Sequence, residues 1–261
     1  MDPSSIAIRN CQLELRRRGH GRPLVFLHGG QGIIGADAFL DACATHYDVL
    51  VPSHPGFGRS DWPDHIRSVS ELALFYLDVF DTLDLTDIAL VGSSFGGWVA
   101  AEIMVRNCHR IGHSVFLDTL GVKFGTREER DIADLHSLDD PSAAKLLYHD
   151  ERFAPSDFSK ASDNERTEVA RNREAFTYFG WKPYMHAPYL KHWLHRIRVP
   201  SLVLWGAYDG VVSVSYGEQF ANALPAAQFE VIDAAGHFPH IEQPLDTFAL
   251  VHNFLSGQEA G

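Results

Sequence analysis

The sequence predicts an α/β fold: a sheet covered by helices on both faces, interrupted once by a helical insertion. Three observations predict it. Short, wholly apolar runs such as Leu24-Val25-Phe26-Leu27 and Ile88-Ala89-Leu90-Val91 read as buried parallel strands. These runs alternate with stretches of helical periodicity, the mark of strand–helix–strand units. The alternation stops near residue 119 and resumes near residue 198. A chain of 261 residues fits one large domain carrying such an insertion. The expected division is a core of residues 1–118 and 198–261 and a helical lid of residues 119–197.

In order, residues 6–18 read as two short strands, and Gly19-His20-Gly21-Arg22-Pro23 as a turn. Strand 24–27 ends in the glycine-rich His28-Gly29-Gly30-Gln31-Gly32. A helix is expected over 37–45, a strand over 47–52, and then the loop His54-Pro55-Gly56-Phe57-Gly58-Arg59-Ser60. Residues 69–84 read as a helix with apolar positions Leu72, Leu74, Phe75, Leu77, Val79, Phe80 and Leu83. Strand 88–91, helix 96–108 and strand 113–118 complete the first half. The insertion has charged helical stretches at 126–136 and 163–175 and many aromatics, Phe153, Phe158, Phe176 and Trp193 among them. The second half reads as strand 201–205, helix 213–223, strand 228–232 and helix 244–255.

Composition narrows the function. Thirty-four acidic against 22 basic residues give a formal charge of -12, which argues against nucleic acid and anionic membranes as partners. Cys11, Cys43 and Cys108 are odd in number and widely spaced, so neither a disulfide framework nor a cysteine metal site is expected. The N-terminus lacks the positive start and apolar core of a signal peptide, and no apolar run approaches a membrane span; a cytoplasmic location is expected. His109/His113 and His192/His195 have helical spacing but no carboxylate in a metalloenzyme pattern, so no metal is expected.

The chemistry centres on Gly92-Ser93-Ser94-Phe95-Gly96, a Gly-x-Ser-x-Gly between a strand and a helix. A turn this sharp pushes its central side chain outward and requires residues without Cβ on either side. Ser94 is therefore the candidate nucleophile. A serine hydroxyl needs a base, the base needs an orienting carboxylate, and the attacked carbonyl needs hydrogen-bond donors. His237, preceded by Gly236 after the last strand, is the candidate base, with His240 as its rival. Asp209, on the loop after strand 201–205, is the candidate acid; Asp118, ending strand 113–118, competes with it. The order Ser94, Asp209, His237 is that of a strand–elbow–helix hydrolase. The backbone N–H groups of Phe95 and Gly30 are the candidate oxyanion donors.

His28-Gly29-Gly30, His54-Pro55-Gly56-Phe57-Gly58-Arg59-Ser60, Gly92-Ser93-Ser94-Phe95-Gly96-Gly97, Trp205-Gly206-x-x-Asp209 and Gly236-His237 together resemble the α/β-hydrolase superfamily. The resemblance covers residues 20–118 and 199–256. It implies an eight-stranded, mostly parallel sheet, a lid inserted after the sixth strand, a Ser-His-Asp triad and no cofactor. Serine at 94 separates the chain from haloalkane dehalogenases and epoxide hydrolases, which resemble it with aspartate there. Size and lid look like the branch of small esterases, lactonases and meta-cleavage product hydrolases. The last group cleaves carbon–carbon bonds in vinylogous diketo acids and typically has Asn before the nucleophile and Trp or Cys after the histidine; here Ser93 and Phe238 stand there.

The resulting expectation is hydrolysis of a carboxylic ester of a small apolar or aromatic molecule. A lactonase or C–C hydrolase with the same triad is the alternative, and a small-ligand receptor of the same fold the third reading. His28, Gly29, Phe124, Tyr178, Trp181, Tyr184 and Phe238 are the expected pocket residues, although the lid aromatics could equally pack lid to core. The partner is a small-molecule substrate, and the chain a monomer or homodimer.

Overall fold

A computed structural model of the chain describes residues 3–126, 128–154 and 161–257; Phe158 lies outside the described residues. Eight strands form one sheet in the order β1-β2-β4-β3-β5-β6-β7-β8. The strands are β1 (Pro3–Ile8), β2 (Cys11–Gly19), β3 (Pro23–Leu27), β4 (Asp48–Pro52), β5 (Ile88–Ser93), β6 (Ile111–Leu117), β7 (Ser201–Gly206) and β8 (Ala227–Ile232). The pair β1–β2 and the pair β2–β4 are antiparallel, and every other pair is parallel. The order reverses at β3, so the loops after β3 and β5 leave neighbouring strands at the same edge, where ligands meet an open α/β sheet.

Alternation along each strand sorts the core into two layers. Leu24 and Phe26 face one side with Val49, Val51, Val91 and Val115, against α1 (Asp37–Ala44) and α8 (Pro244–Ser256). Val25 and Leu27 face the other with Leu90 and Phe116, against α2 (Val69–Thr82), α3 (Phe95–Arg106) and α6 (Val214–Asn222). The helix expected over 69–84 stops at Thr82 because Asp84 takes a left-handed φ of 46°. Ser68 caps its start, accepting the Glu71 N–H, while the Glu71 carboxylate accepts the Arg67 N–H.

The helical insertion follows the sixth strand, as expected, but its helices differ from the sequence prediction. The helix expected over 126–136 is absent among the described residues; turns lead to a single 3-10 turn at Leu135–Ser137. The Asp131 carboxylate accepts the N–H groups of Phe124 and Gly125, and a side chain that captures nearby backbone donors competes with helix formation. The helix instead starts at α4 (Asp140–Leu147), where Asp139 caps Ser142 and Pro141 occupies the first turn. The stretch expected over 163–175 runs on to Gly180 as α5 (Asp163–Gly180), opened by a capping box between Ser162 and Glu165. The insertion is anchored on α3: the Tyr189 hydroxyl donates to the buried Glu102 carboxylate at 2.8 Å, and that carboxylate is paired with Arg106.

Glycine matters most where strands and loops cross. A Cβ at Gly96 would sit 1.9 Å from the Leu27 carbonyl oxygen, so helix α3 can lie against the end of β3 only without one. Gly96→Ala is therefore expected to cost about 3 kcal/mol or more, since backbone must move. Gly257→Ala, where the cost is only the φ of 70° in open space, is expected to cost about 1 kcal/mol. Urea unfolding of the two variants checks the contrast; equal costs would refute the steric account.

Candidate active site

Ser94 joins β5 to α3 with φ 53° and ψ -116°, a conformation that costs a non-glycine residue energy and is held by its surroundings. Its N–H donates to Leu117 O on β6, and its carbonyl accepts from Gly97, Trp98 and Leu120. The side chain is thereby turned off the sheet edge. Its Oγ lies 2.8 Å from His237 Nε2, and His237 Nδ1 lies 2.8 Å from Asp209 Oδ2. The other Asp209 oxygen accepts the N–H groups of Val211 and Val212 at 2.7 and 3.1 Å. A carboxylate acceptor at Nδ1 places the ring proton there and leaves Nε2 free to accept the serine proton.

Asp118, the competing acid, lies beside this chain. One oxygen atom of Asp118, one of Asp209 and a ring nitrogen of His237 fall within 4.8 Å of one another. Asp118 Oδ1 accepts the Gly206 N–H at 2.8 Å, and Oδ2 is buried with no partner. Burial, and then the neighbouring Asp209 carboxylate, push the Asp118 carboxyl well above the usual carboxylate range. A zinc ion, about 2.0–2.1 Å from tetrahedral ligands, would spread them to roughly 3.3 Å, whereas His237 and Asp209 are joined directly at 2.8 Å. The histidine pairs with helical spacing are not on helices: His113 lies on β6 beside Arg22, His109 in a turn, and His192 and His195 in separate 3-10 turns.

Phe95 opens α3, so its N–H belongs to the first turn and has no intrahelical acceptor. Gly30 lines the cavity in front of Ser94, and a Cβ there would be 2.6 Å from the Phe176 ring. The loop bearing Gly30 is set by two buried histidines. His28 Nε2 accepts the His54 N–H at 3.1 Å, so its Nδ1 carries the proton and donates to Gly29 O at 2.8 Å. His54 Nε2 donates to His28 O at 3.0 Å, leaving Nδ1 to accept from the Tyr76 hydroxyl. Both rings must be neutral for this pattern. Burial lowers His28 to about 4 and His54 well below its usual value. His240, the rival base, is buried in α7 (Pro239–Glu242) away from Ser94 and lowered to about 3, by burial and then by His237.

A cavity of about 660 Å³ opens from Ser94 and His237. Its walls are Gly30, Gln31, Ile34 and Phe238 from the core, Leu135, Lys145, Leu147 and Tyr148 before and on α4, and Val169, Asn172, Arg173 and Phe176 on α5. Of the pocket residues expected from sequence, Phe238 lines it. The others do not. His28 is consumed by the loop clasp, and Gly29 lies behind Ser94, its Cβ position 3.3 Å from the serine Cβ. Phe124 packs edge-on to Tyr216. Tyr178 meets Trp62, and Trp181 is 60% exposed beside His136. The Tyr184 hydroxyl bridges Ala133 O and the Leu135 N–H. Phe124 and Tyr178 thus pack the insertion on the core, Tyr184 ties the insertion to itself, and Trp181 faces solvent. The missed residues 169, 172, 173 and 176 share one helical face at i, i+3, i+4 and i+7, a signal the sequence contained.

A family model for the alpha/beta hydrolase fold matches residues 22–244, and the chain belongs to that family. It is a hydrolytic enzyme of this superfamily. It is 27% identical over 258 residues to 2-hydroxy-6-oxo-2,4-heptadienoate hydrolase of Pseudomonas putida, covering 92% of this chain and 91% of the relative. It is 28% identical over 265 residues to 2-hydroxy-6-oxononadienedioate/2-hydroxy-6-oxononatrienedioate hydrolase of Cupriavidus pinatubonensis, covering 89% and 86%. Among solved structures it is similar in fold to a serine hydrolase involved in carbazole degradation, with a TM-score of 0.79, 20% identity and coverage of 98% and 99%. No helix among the described residues is long and apolar enough to cross a membrane.

Two measurements test the electrostatics of the site. Asn reproduces a protonated Asp118, so Asp118→Asn is expected to lose less than about tenfold in kcat/KM, whereas Asp209→Asn loses roughly 10³–10⁴-fold; the reverse ranking would make Asp118 the acid. Below pH about 6.5 the unfolded chain protonates His28, His54 and His240 while the folded chain does not. Their burial therefore costs nothing extra above that pH and destabilises progressively as pH falls toward 4, by up to about 1.4 kcal/mol per pH unit for each ring. Asp118, held neutral, works in the opposite sense. Urea midpoints at pH 7, 5.5 and 4.5 should fall in that order, and a constant midpoint would contradict it.

Proposed function

We propose that this member of the alpha/beta hydrolase fold family is a serine hydrolase that cleaves a carbon–carbon bond in a small 2-hydroxy-6-oxo dienoic acid. In this reading residues 119–197 act as a lid over a core of residues 1–118 and 198–261. The observation that carries it is the Ser94–His237–Asp209 chain, with contacts of 2.8 Å at both joints, opening into a mainly apolar cavity. The choice of bond is supported by the relatives' substrates: a 2-hydroxy-6-oxo dienoate has no ester, amide or glycosidic bond, so its hydrolysis must break a C–C bond beside the ketone. The cavity suits such a molecule. Phe176, Phe238, Ile34 and Leu135 offer an apolar wall, and Lys145 and Arg173 line the polar part beside Asp140 and Glu151, with Arg173 paired to Asp140.

The 2-hydroxy dienoate first ketonises: the 2-hydroxyl loses a proton and C5 gains one, leaving a 2,6-dioxo acid with a C3–C4 double bond and a saturated C5. Ser94 Oγ then adds to the 6-oxo carbon as His237 takes its proton. The N–H groups of Phe95 and Gly30 receive the oxyanion. On collapse the bond between the carbonyl carbon and its α-carbon breaks. Its electron pair passes into the conjugated 2-oxo acid, the only part of the molecule able to delocalise it, and the proton returns from His237 to that fragment. Water then hydrolyses the acyl-serine to a carboxylic acid. Asp209 keeps the imidazole oriented throughout.

Ester hydrolysis is the second reading, favoured by Ser93 and Phe238 in place of the Asn and the Trp or Cys typical of the resembled C–C hydrolases. The same triad performs it, since an alkoxide leaves without needing conjugation. Loss of the yellow absorbance of a 2-hydroxy-6-oxo dienoate decides between them, run beside a short-chain aryl ester. The wild type is expected to turn over the dienoate with the larger kcat/KM, and Ser94→Ala to lose about 10³-fold or more on both. Preference for the aryl ester would install the second reading.

A further inference from the structure

The insertion touches the triad from behind as well as covering the cavity in front. Leu146 O, near the end of α4, accepts the Gly210 N–H at 3.0 Å, and Leu147 O accepts the His237 N–H at 2.8 Å. These two donors flank the acid and belong to the base. The approach is close enough to dictate residue type. A Cβ on Gly210 would lie 2.9 Å from Leu146 Cα, and one on Gly236 would lie 2.8 Å from Leu147 O and from His149 N. Directly beyond, the buried Glu242 carboxylate bridges the same two pieces of chain. Its Oε2 accepts the Gly236 N–H at 2.6 Å and its Oε1 accepts the Asp150 N–H at 2.8 Å.

We propose that Glu242 is a positioning residue that fastens residues 146–150 of the insertion to the loop carrying His237, so that this segment, which also holds the Asp209 loop through Leu146 O, forms one unit with the acid–base pair. The inference rests on the reading of Ser94, His237 and Asp209 as the catalytic group. Lys145, Leu147 and Tyr148 line the cavity on the very segment whose carbonyls hold the triad loops. Contact between a substrate and α4 therefore reaches the base through one backbone hydrogen bond, from the His237 N–H to Leu147 O, and the acid's loop through another, from the Gly210 N–H to Leu146 O, with Glu242 clamping the segment just beyond. Both Glu242 oxygens are used by backbone donors, and that makes glutamine an informative replacement. Its size is the same, but it has one acceptor oxygen, and its NH2 group would face an N–H.

Glu242→Gln should lower kcat on the substrate that the wild type turns over by roughly 10- to 100-fold, the cost of a misplacement of about 1 Å. KM should stay within about threefold, because the cavity walls keep their side chains, and the melting temperature should fall by only a few degrees, the cost of one mispaired buried N–H. An unchanged kcat, or a loss of kcat in which KM or the melting temperature moves beyond those limits, overturns the proposal. Hydrogen exchange of the wild type gives a test independent of any variant. Amides of 146–150, 206–212 and 235–238 should open together and slow together when a fluorophosphonate occupies Ser94. Exchange of 146–150 more than tenfold faster than the other two overturns the coupling. Ser94→Ala that stays active, or a probe that leaves Ser94 unlabelled, would instead remove the triad reading itself.

Discussion

The left-handed backbone at Ser94 is the constraint on which the site depends. A serine does not adopt φ 53° unaided. It is held by one N–H bond to β6 and three bonds to its carbonyl, and by helix α3 lying so close to β3 that residue 96 can have no Cβ. Packing of the central strands thus supplies the energy that keeps Ser94 strained and facing the cavity. The same closeness brings Gly29 against Ser94, so the residue 94 turn and the loop after β3 are placed by one set of contacts.

Around this point the protein sorts its buried ionisable groups by charge. Asp209 is surrounded by donors, with two backbone N–H groups on one oxygen and His237 on the other. Asp118 has one donor and a second oxygen with none. Two carboxylates this near cannot both be charged cheaply, and the one with fewer donors keeps the proton. The histidines divide in the same way. His28 and His54 are locked neutral by complementary donors and acceptors and serve the loop, while His237 alone has a carboxylate on one nitrogen and a hydroxyl on the other.

The insertion shows how one segment meets two demands. Its aromatics divide: Phe179 is buried and stacks on Phe95, Tyr189 reaches Glu102 beneath α3, and Trp181 and Trp193 are exposed. The cavity receives a different face, the α5 stripe ending in Phe176 and the α4 residues up to Tyr148. Aromatic content therefore marked the segment without marking the pocket.

The sequence by itself determined the α/β alternation, the place of the insertion and the candidates Ser94, Asp209, His237, Phe95 and Gly30. Each sits at a strand end whose flanking residues are fixed by local sterics, above all glycines where chains cross, and local sterics are legible in one dimension. The sequence favoured Asp209 over Asp118 by its place on the loop after a strand and by chain order, whereas the backbone donors that distinguish the two carboxylates belong to the tertiary structure. The sequence could not tell pocket aromatics from packing aromatics, or find α4 and Glu242. Those depend on which surfaces meet across more than 90 residues of chain, as Asp150 and Glu242 do, and such meetings exist only once the sheet has brought them together.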